Sequence, residues 1–440
     1  MQREFLGSLQ CPYTGSPFVL SASDSGSSID FGIATSEAGR FPIIAGILRL
    51  LSDELQEQLV ELIEHGQHEA ALRAALDVPG SDRWEVIVNR LWRSAARRWN
   101  LGPVANAMGP GKQWLYRLVT RPDITFATFV AAAKAESWVK WQKYRFSMPT
   151  FLPVHSLSHL ATGCNTILDF GCGLGHSAFL MKRQASSARV VCADYSFTSM
   201  LLAKRFLVPD AECICLDGDY ALPFREHYFD CVFSTDALQY IKSKLSLAKE
   251  FERVLSPDGT VVLAHLHNKL STEKGCTGKA LTARGYANLF EGMVRRVYPE
   301  DKIVADFVTD GVLDLTQRWT CEELDRLACG LTLVASRTES AFRLHKGILD
   351  VHIDAMRHPN LNPAYHARQS NGAWVVDKSV GAPYAVESAF KDFSILPATW
   401  RIELESLGSS EILALRDANR ERLRELVRRF IVIDIPDFYV

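Results

Sequence analysis

The chain has 440 residues, is 47% hydrophobic and 23% charged, and carries a formal net charge of −2. It can therefore bury a sizeable core, its length predicts two or three domains, and a generally basic coat for nucleic acid is excluded, although local patches of either sign stay open. No charge-free apolar run reaches the roughly 18 residues of a membrane span, and the opening MQREFLGSLQ has no hydrophobic stretch before a cleavage-like site, so a cytoplasmic protein with no membrane partner is expected.

Residues 1–52 alternate short β-like runs (Phe18 to Leu20, Phe41 to Leu51) with Ser/Gly-rich turns and read as a small separate module. Leu9-Gln10-Cys11-Pro12-Tyr13-Thr14-Gly15, with Gly39-Arg40-Phe41-Pro42-Ile43 and Gly46-Ile47-Leu48 further on, resembles the zinc-ribbon-like domain that accompanies certain methyltransferases. In that family both knuckles carry paired cysteines. Here Thr14 stands where the partner of Cys11 belongs and residues 34–39 contain no cysteine. One thiolate cannot complete a four-coordinate zinc site, so a metal-free remnant with a packing role is expected.

Residues 53–160 place apolar side chains three and four apart, as in Leu55, Leu59, Leu62 and Ile63, and read as a helical cap that supplies a substrate wall. The stretch holds six of the nine tryptophans, and between Asp82 and Arg145 twelve Lys/Arg face four Asp/Glu. Arg90, Arg93, Arg97 and Arg98 beside Trp92 and Trp99 could bind nucleic acid or an anionic substrate. The plainer reading is a cap with tryptophans in its core and solvated arginines. Residues 161–267 alternate β and α elements, predicting a mostly parallel sheet covered by helices. Residues 268–440 begin with a polar segment and include a helix-then-strand unit at Thr320 to Arg337. Cysteines 172, 192, 213, 215 and 231 fall within or beside apolar runs and read as reduced packing residues.

The chemistry concentrates in the third stretch. Asn165 to Leu180 reads as strand, glycine turn and helix, with Gly171, Gly173 and Gly175 in G-x-G-x-G, where absent side chains allow a sharp turn and close ligand approach. The next strand, Val190 to Asp194, ends in a carboxylate nineteen residues after Gly175, placed to grip two ribose hydroxyls. A dinucleotide fold would share both features, but its third glycine would fall at His176. Leu216-Asp-Gly-Asp-Tyr-Ala-Leu-Pro-Phe224, Tyr228-Phe-Asp-Cys-Val-Phe-Ser-Thr-Asp236 and Arg253-Val-Leu-Ser-Pro-Asp-Gly259 then follow in unbroken order. Together these segments resemble the L-P-F variant of the class I S-adenosylmethionine-dependent methyltransferase superfamily.

That resemblance implies a Rossmann-like, mostly parallel seven-stranded α/β sheet with S-adenosyl-L-methionine as cofactor. Asp169 and the three glycines would hold its methionyl part, Asp194 its ribose, and Asp217 its adenine amino group, with Tyr195, Gly218 and Ser234 beside them. The adenine acid usually lies four residues before the leucine, whereas Asp217 and Asp219 lie five and three before it; Asp217 is preferred because it directly follows strand Cys213 to Leu216.

Ligands of parallel α/β sheets sit beyond the carboxyl ends of the strands, which draws attention to Ser234 to Tyr240, with Gln239 and Tyr240 as polar groups facing the substrate, and to His265-Leu266-His267. The two histidines share one strand face by the period of two, could serve as general bases, and could bind a metal if a carboxylate joined them; no metal site is assigned. Asp350, Asp354 and His358 would share a helix face, equally as a solvated one. Thr320 to Ala335 reads as the helix and sixth strand of the fold, which makes Arg284 to Tyr298 an inserted roof over the acceptor pocket. The leading expectation is methyl transfer to a small-molecule acceptor, such as a specialised natural product, in a roofed pocket. Alternatives are an RNA methyltransferase and a cofactor-binding protein without transferase activity.

Overall fold

The computed structural model describes residues 1–21, 26–76, 113–132, 142–270, 278–327, 330–371, 373–378, 399–402 and 408–439. Arg90, Trp92, Arg93, Arg97, Arg98 and Trp99 lie outside them.

Short apolar runs with no polar alternation demand burial on both faces, and here they form the middle of one large sheet. Its strands are β1 (Val19–Ser21), β2 (Gly32–Ser36), β3 (Gly39–Ile44), β4 (Ile47–Leu50), β5 (Thr166–Phe170), β6 (Arg189–Asp194), β7 (Glu212–Leu216), β8 (Phe229–Thr235), β9 (Leu255–His267), β10 (Val294–Pro299) and β11 (Gly330–Ser336). The order is β1-β2-β3-β4-β7-β6-β5-β8-β9-β11-β10. From β4 to β9 every neighbour is parallel, while β11 runs antiparallel to both β9 and β10. Alternate side chains feed two cores. Ile167, Cys192, Cys213 and Phe233 enter one, whereas Leu168, Val191, Ile214 and Val232 enter the other. Helices α1 (His176–Gln184), α2 (Phe197–Leu202) and α3 (Lys244–Val254) provide crossovers between parallel strands, and α4 (Glu300–Asp310) lies in the connection from β10 to its antiparallel neighbour β11. The chain leaves β5 towards β6 and β7 on one side and returns to β8 and β9 on the other, so a switch point opens between the ends of β5 and β8.

Three expectations change. Residues 1–52 are not a separate module: β4 adds parallel to β7, with Ile47 opposite Cys213, and extends the central sheet. All four residues of β4 are buried, as a strand with a sheet neighbour and two covered faces requires, and that neighbour lies too far along the chain for local pattern to reveal it. Cys11 is buried beneath this extension and its thiol meets the Ser36 and Thr14 hydroxyls.

Arg284 to Tyr298 is not a roof inserted into the fold but a short helix, Ala283–Ala287, followed by β10, the edge strand. Gly330–Ser336 is therefore the seventh strand, slotted antiparallel between the fifth and sixth. Arg295 and Arg296 disguised β10 as a surface segment. An edge strand keeps such long side chains half-buried because their heads still reach polar partners, here the carbonyls of Glu291 and Leu315. Thirdly, Arg145, counted with a solvated basic face, is buried, 6% exposed.

A cofactor cleft beside a two-histidine wall

Beyond β5 the backbone turns through Gly171, Gly173 and Gly175 with φ of +66°, +54° and +82°, the left-handed region that favours glycine. A β-carbon on Gly171 would lie 2.3 Å from Cβ of Ala237, whereas one on Gly173 would meet nothing within 4 Å. The first glycine thus lets the loop after β8 approach, and the second leaves open space at the mouth of the cleft.

Asp169, in the strand before this turn, is 0% exposed, and its carboxylate oxygens find no side-chain partner, with only the Ala178 amide approaching to favour the ionised form. Burial lifts its pKa to about 8, with the Asp194 charge adding to the rise. The hydroxyl of Ser234, 2% exposed at the end of β8, is without a partner. Two under-satisfied buried groups beside an open glycine turn suit a polar ligand bearing a cationic amine. Asp194 accepts hydrogen bonds from the amides of Gly173 (2.9 Å) and Ser196 (2.8 Å), and burial raises its pKa as well. It therefore ties the end of β6 to the glycine turn. Asp219 is occupied in pinning the segment that enters α3, accepting from the amides of Lys242 (2.8 Å) and Ser243 (2.9 Å), while Asp217 accepts one short-range bond from the Asp219 amide (3.0 Å). Gly218 packs against Phe170 and Ile241, and Tyr195 is 65% exposed at the rim.

The opposite wall is built from β8, β9 and α4. Asp236 directly follows β8 and adopts φ +56°; His265 sits in β9 at φ +52°. The register of β9 and β11 shifts there, so that Ala264 and His265 together oppose Thr332: a β-bulge that re-aims the histidine. Glu300, the first residue of α4 and 6% exposed, fills the bulge. It accepts from the His265 amide (2.5 Å), the His265 ring Nδ1 (3.0 Å) and the Thr332 hydroxyl (3.1 Å). A β-carbon on Gly330 would come within 2.7 Å of the Glu300 carboxylate, so only glycine leaves room for this clamp. His267 Nε2 lies 3.2 Å from Asp236 Oδ1, and the two imidazoles stand edge to face with centroids 5.3 Å apart.

Burial works to lower the His265 pKa, but Glu300 and Asp236 outweigh it and hold it above its ordinary value. Burial likewise opposes ionisation of Asp236, yet the bond to His267 and the charges of His265 and Arg145 bring its pKa down to about 2. The Arg145 guanidinium lies 3.8 Å from Asp236 Oδ2.

Gln239, 2% exposed, donates to Asp236 Oδ1 (2.8 Å), and Tyr240 is 60% exposed on the outer side of the same loop. The short helix Ala283–Ala287 reaches this wall through buried Tyr286, whose hydroxyl donates to the His267 carbonyl at 2.9 Å. Asp350, Asp354 and His358 are not brought together. Arg420 pairs with both aspartates, Arg424 also binds Asp350, the helix Ile348–Ala355 stops short of His358, and that histidine meets Asp437 at 2.7 Å. A cavity of about 540 Å³ lies elsewhere, among α1, Phe206 to Ala211 and Asp354 to Arg357. It includes Val190 near the start of β6, the end opposite the glycine turn, so the chemistry is assigned to the switch-point cleft.

Sequence reasoning reached the span Ser234 to Tyr240 without singling out Asp236, and missed Arg145 and Glu300. Asp236 had a signal, since it stands after β8 much as Asp194 stands at the end of β6; Glu300 had none, because only the bulge makes a place for it.

Residues 168–263 match the family model described as a methyltransferase domain. The chain is similar to the mitochondrial arginine-hydroxylase NDUFAF5 of Danio rerio, 30% identical over 110 residues, 25% of this chain and 33% of that protein. It is also similar to the malonyl-[acyl-carrier protein] O-methyltransferase of Halorhodospira halophila (strain DSM 244 / SL1), 33% identical over 101 residues, 22% of this chain and 34% of that one. The match thus spans about a third of the length of these curated relatives. Among solved structures, the geranyl diphosphate C-methyltransferase from Streptomyces coelicolor A3(2), in complex with Mg2+, geranyl diphosphate and S-adenosyl-L-homocysteine, aligns at TM-score 0.32 and 15% identity, over 42% of this chain and 78% of that one. From the family match, the strand order and the glycine turn together, residues 168–263 form a methyltransferase domain of the class I S-adenosylmethionine-dependent superfamily, with S-adenosylmethionine as its cofactor.

Proposed function

We propose that the chain transfers a methyl group from S-adenosylmethionine to a small-molecule acceptor held between the glycine turn and the His265–His267 wall. The observation that carries this reading is the buried Asp169 carboxylate beside the open glycine turn, with the loop that bears Asp236 packed on Gly171 through Ala237. When bound, the cofactor supplies an electrophilic methyl group on a sulfonium.

The protein's own part is placement and proton handling. Ionised Asp169 would hold the ammonium group of the methionyl part, the amides of residues 171–175 would line its path, Asp194 would bind the ribose and Asp217 the adenine amino group. Gly218, Tyr195 and Ser234 would border these contacts. Aligning a nucleophile with the methyl carbon is then the main catalytic device, since holding both reactants removes the entropic cost of their encounter. The wall opposite offers imidazoles at His265 and His267 to manage the acceptor's proton, each oriented by a carboxylate, with Tyr240 at the rim. The burial of Gln239 and Glu300 behind half-buried Asp236 favours an acceptor small enough to reach a recessed wall.

Incubation with methyl-labelled cofactor against separate metabolite and RNA pools tests this. Label in the metabolite fraction is the expected result. Label confined to RNA would overturn the small-molecule acceptor, and label in neither would overturn methyl transfer.

A further inference from the structure

Asp236, His265 and His267 arrive from two different strand ends and present one carboxylate oxygen and two ring nitrogens that all lie within 4.8 Å of one another. The Asp236–His267 pair stands at 3.2 Å, within the roughly 2.8–3.6 Å that octahedral to tetrahedral angles give between neighbouring ligands whose bonds to a first-row cation are about 2.0–2.2 Å. We propose that these three side chains form a binding site for one divalent first-row transition-metal cation in the acceptor wall.

The surroundings are built as metal sites are built. His265 engages Glu300 through Nδ1 at 3.0 Å, which leaves Nε2 as its ligating atom, and a carboxylate behind a metal-bound imidazole fixes its ring and raises its basicity. The Glu300 bond to the His265 amide and the Thr332 hydroxyl fixes that carboxylate in turn. Gln239 steadies Asp236 at 2.8 Å. Both Asp236 and His265 hold left-handed backbone conformations, which cost energy in non-glycine residues and persist where the surroundings over-determine them.

Charge is compatible. Two carboxylates, Asp236 and Glu300, face one guanidinium, Arg145, so the pocket with neutral imidazoles carries one net negative charge and a dication leaves it at one positive. Two imidazoles and one carboxylate suit iron(II), manganese(II), cobalt(II) or zinc(II) better than calcium or magnesium, which prefer all-oxygen shells. Three protein ligands also leave coordination positions open towards the cleft, where an acceptor with an oxygen donor would bind. The imidazoles then act as ligands, and the cation takes over the task of holding the acceptor oxygen.

The proposal rests on reading this wall as the acceptor site, and its test separates the two. Full-length protein without a histidine tag is stripped with chelator and titrated with cobalt(II), following visible absorption and bound metal by elemental analysis. S-adenosylmethionine binding is measured calorimetrically on the same sample. One equivalent of cobalt per chain with ligand-field bands is expected. Asp236→Asn and His267→Gln should each abolish those bands, and Glu300→Gln should weaken cobalt binding by about 10- to 100-fold, provided thermal melting shows each variant folded. Cofactor binding without stoichiometric cobalt, or cobalt binding unaltered in folded Glu300→Gln and His267→Gln proteins, overturns the metal site and leaves methyl transfer standing. Cobalt binding without cofactor binding supports the metal site and overturns the methyl-transfer reading.

Discussion

Asp169 allows the cofactor reading to be tested through protons. Its pKa of about 8, against an ordinary 3.8, means that at pH 7 about 0.9 of the free protein carries a proton there. Holding an ammonium group requires the carboxylate, so binding should release that proton. Calorimetry at pH 7 in buffers of different ionisation enthalpy should report about 0.9 proton released, and the dissociation constant should fall about ninefold from pH 6 to pH 7. The gain should level off near pH 8, where the ligand's own amino group begins to titrate.

The same shift has a cost in stability, with a definite sign. Between 3.8 and about 8 the native state holds one more proton than the unfolded chain, so stability falls as pH rises, by about 1.36 kcal/mol per unit and on the order of 4 kcal/mol by pH 7. Asp169→Asn removes that loss but buries an amide that costs roughly 1 to 3 kcal/mol, leaving a net gain of about 1 to 3 kcal/mol, or several degrees in melting temperature. The variant should bind cofactor about 10- to 150-fold more weakly at pH 8, with no pH slope from this group. A variant that keeps the proton release, or that is less stable than the parent at pH 8, would refute the reasoning.

Asp194→Ala should weaken cofactor binding by about 10- to 150-fold through loss of charge-assisted hydrogen bonds; an unchanged dissociation constant in calorimetry would remove it from the ribose. His265→Ala should lower turnover by about 10²- to 10⁴-fold with cofactor affinity nearly intact, whereas unchanged turnover on single replacement of His265, His267 and Tyr240 would leave positioning alone to carry the reaction. Gly171→Ala places a β-carbon 2.3 Å from Ala237 at φ +66°, so it should destabilise the fold by more than about 1 kcal/mol and weaken cofactor binding; a normal melting curve would show that the turn can yield. Gly330→Ala would place a β-carbon 2.7 Å from the Glu300 carboxylate, so it should displace that group and reduce turnover while cofactor affinity holds, and unaltered turnover would mean that the clamp on His265 is not used.

The cofactor half of the cleft was legible in the sequence because its parts are local. Gly171, Gly173 and Gly175 sit within one turn whose left-handed backbone requires them, and Asp169 and Asp194 stand at the ends of apolar runs whose burial is dictated by composition. His265 and His267 were visible for the same reason, as polar residues closing an apolar strand. What joins them to Asp236, Glu300 and Arg145 is long-range: a switch point that sets β8 beside β5 and β9, a bulge opposite Thr332, and the first residue of α4. The parallel seam between β4 and β7 and the antiparallel place of β11 were equally hidden, since backbone hydrogen bonds between strands leave no mark in the side-chain pattern of either partner. Periodicity specifies which face of a segment is buried; the neighbour that buries it is chosen by the packing of the whole chain.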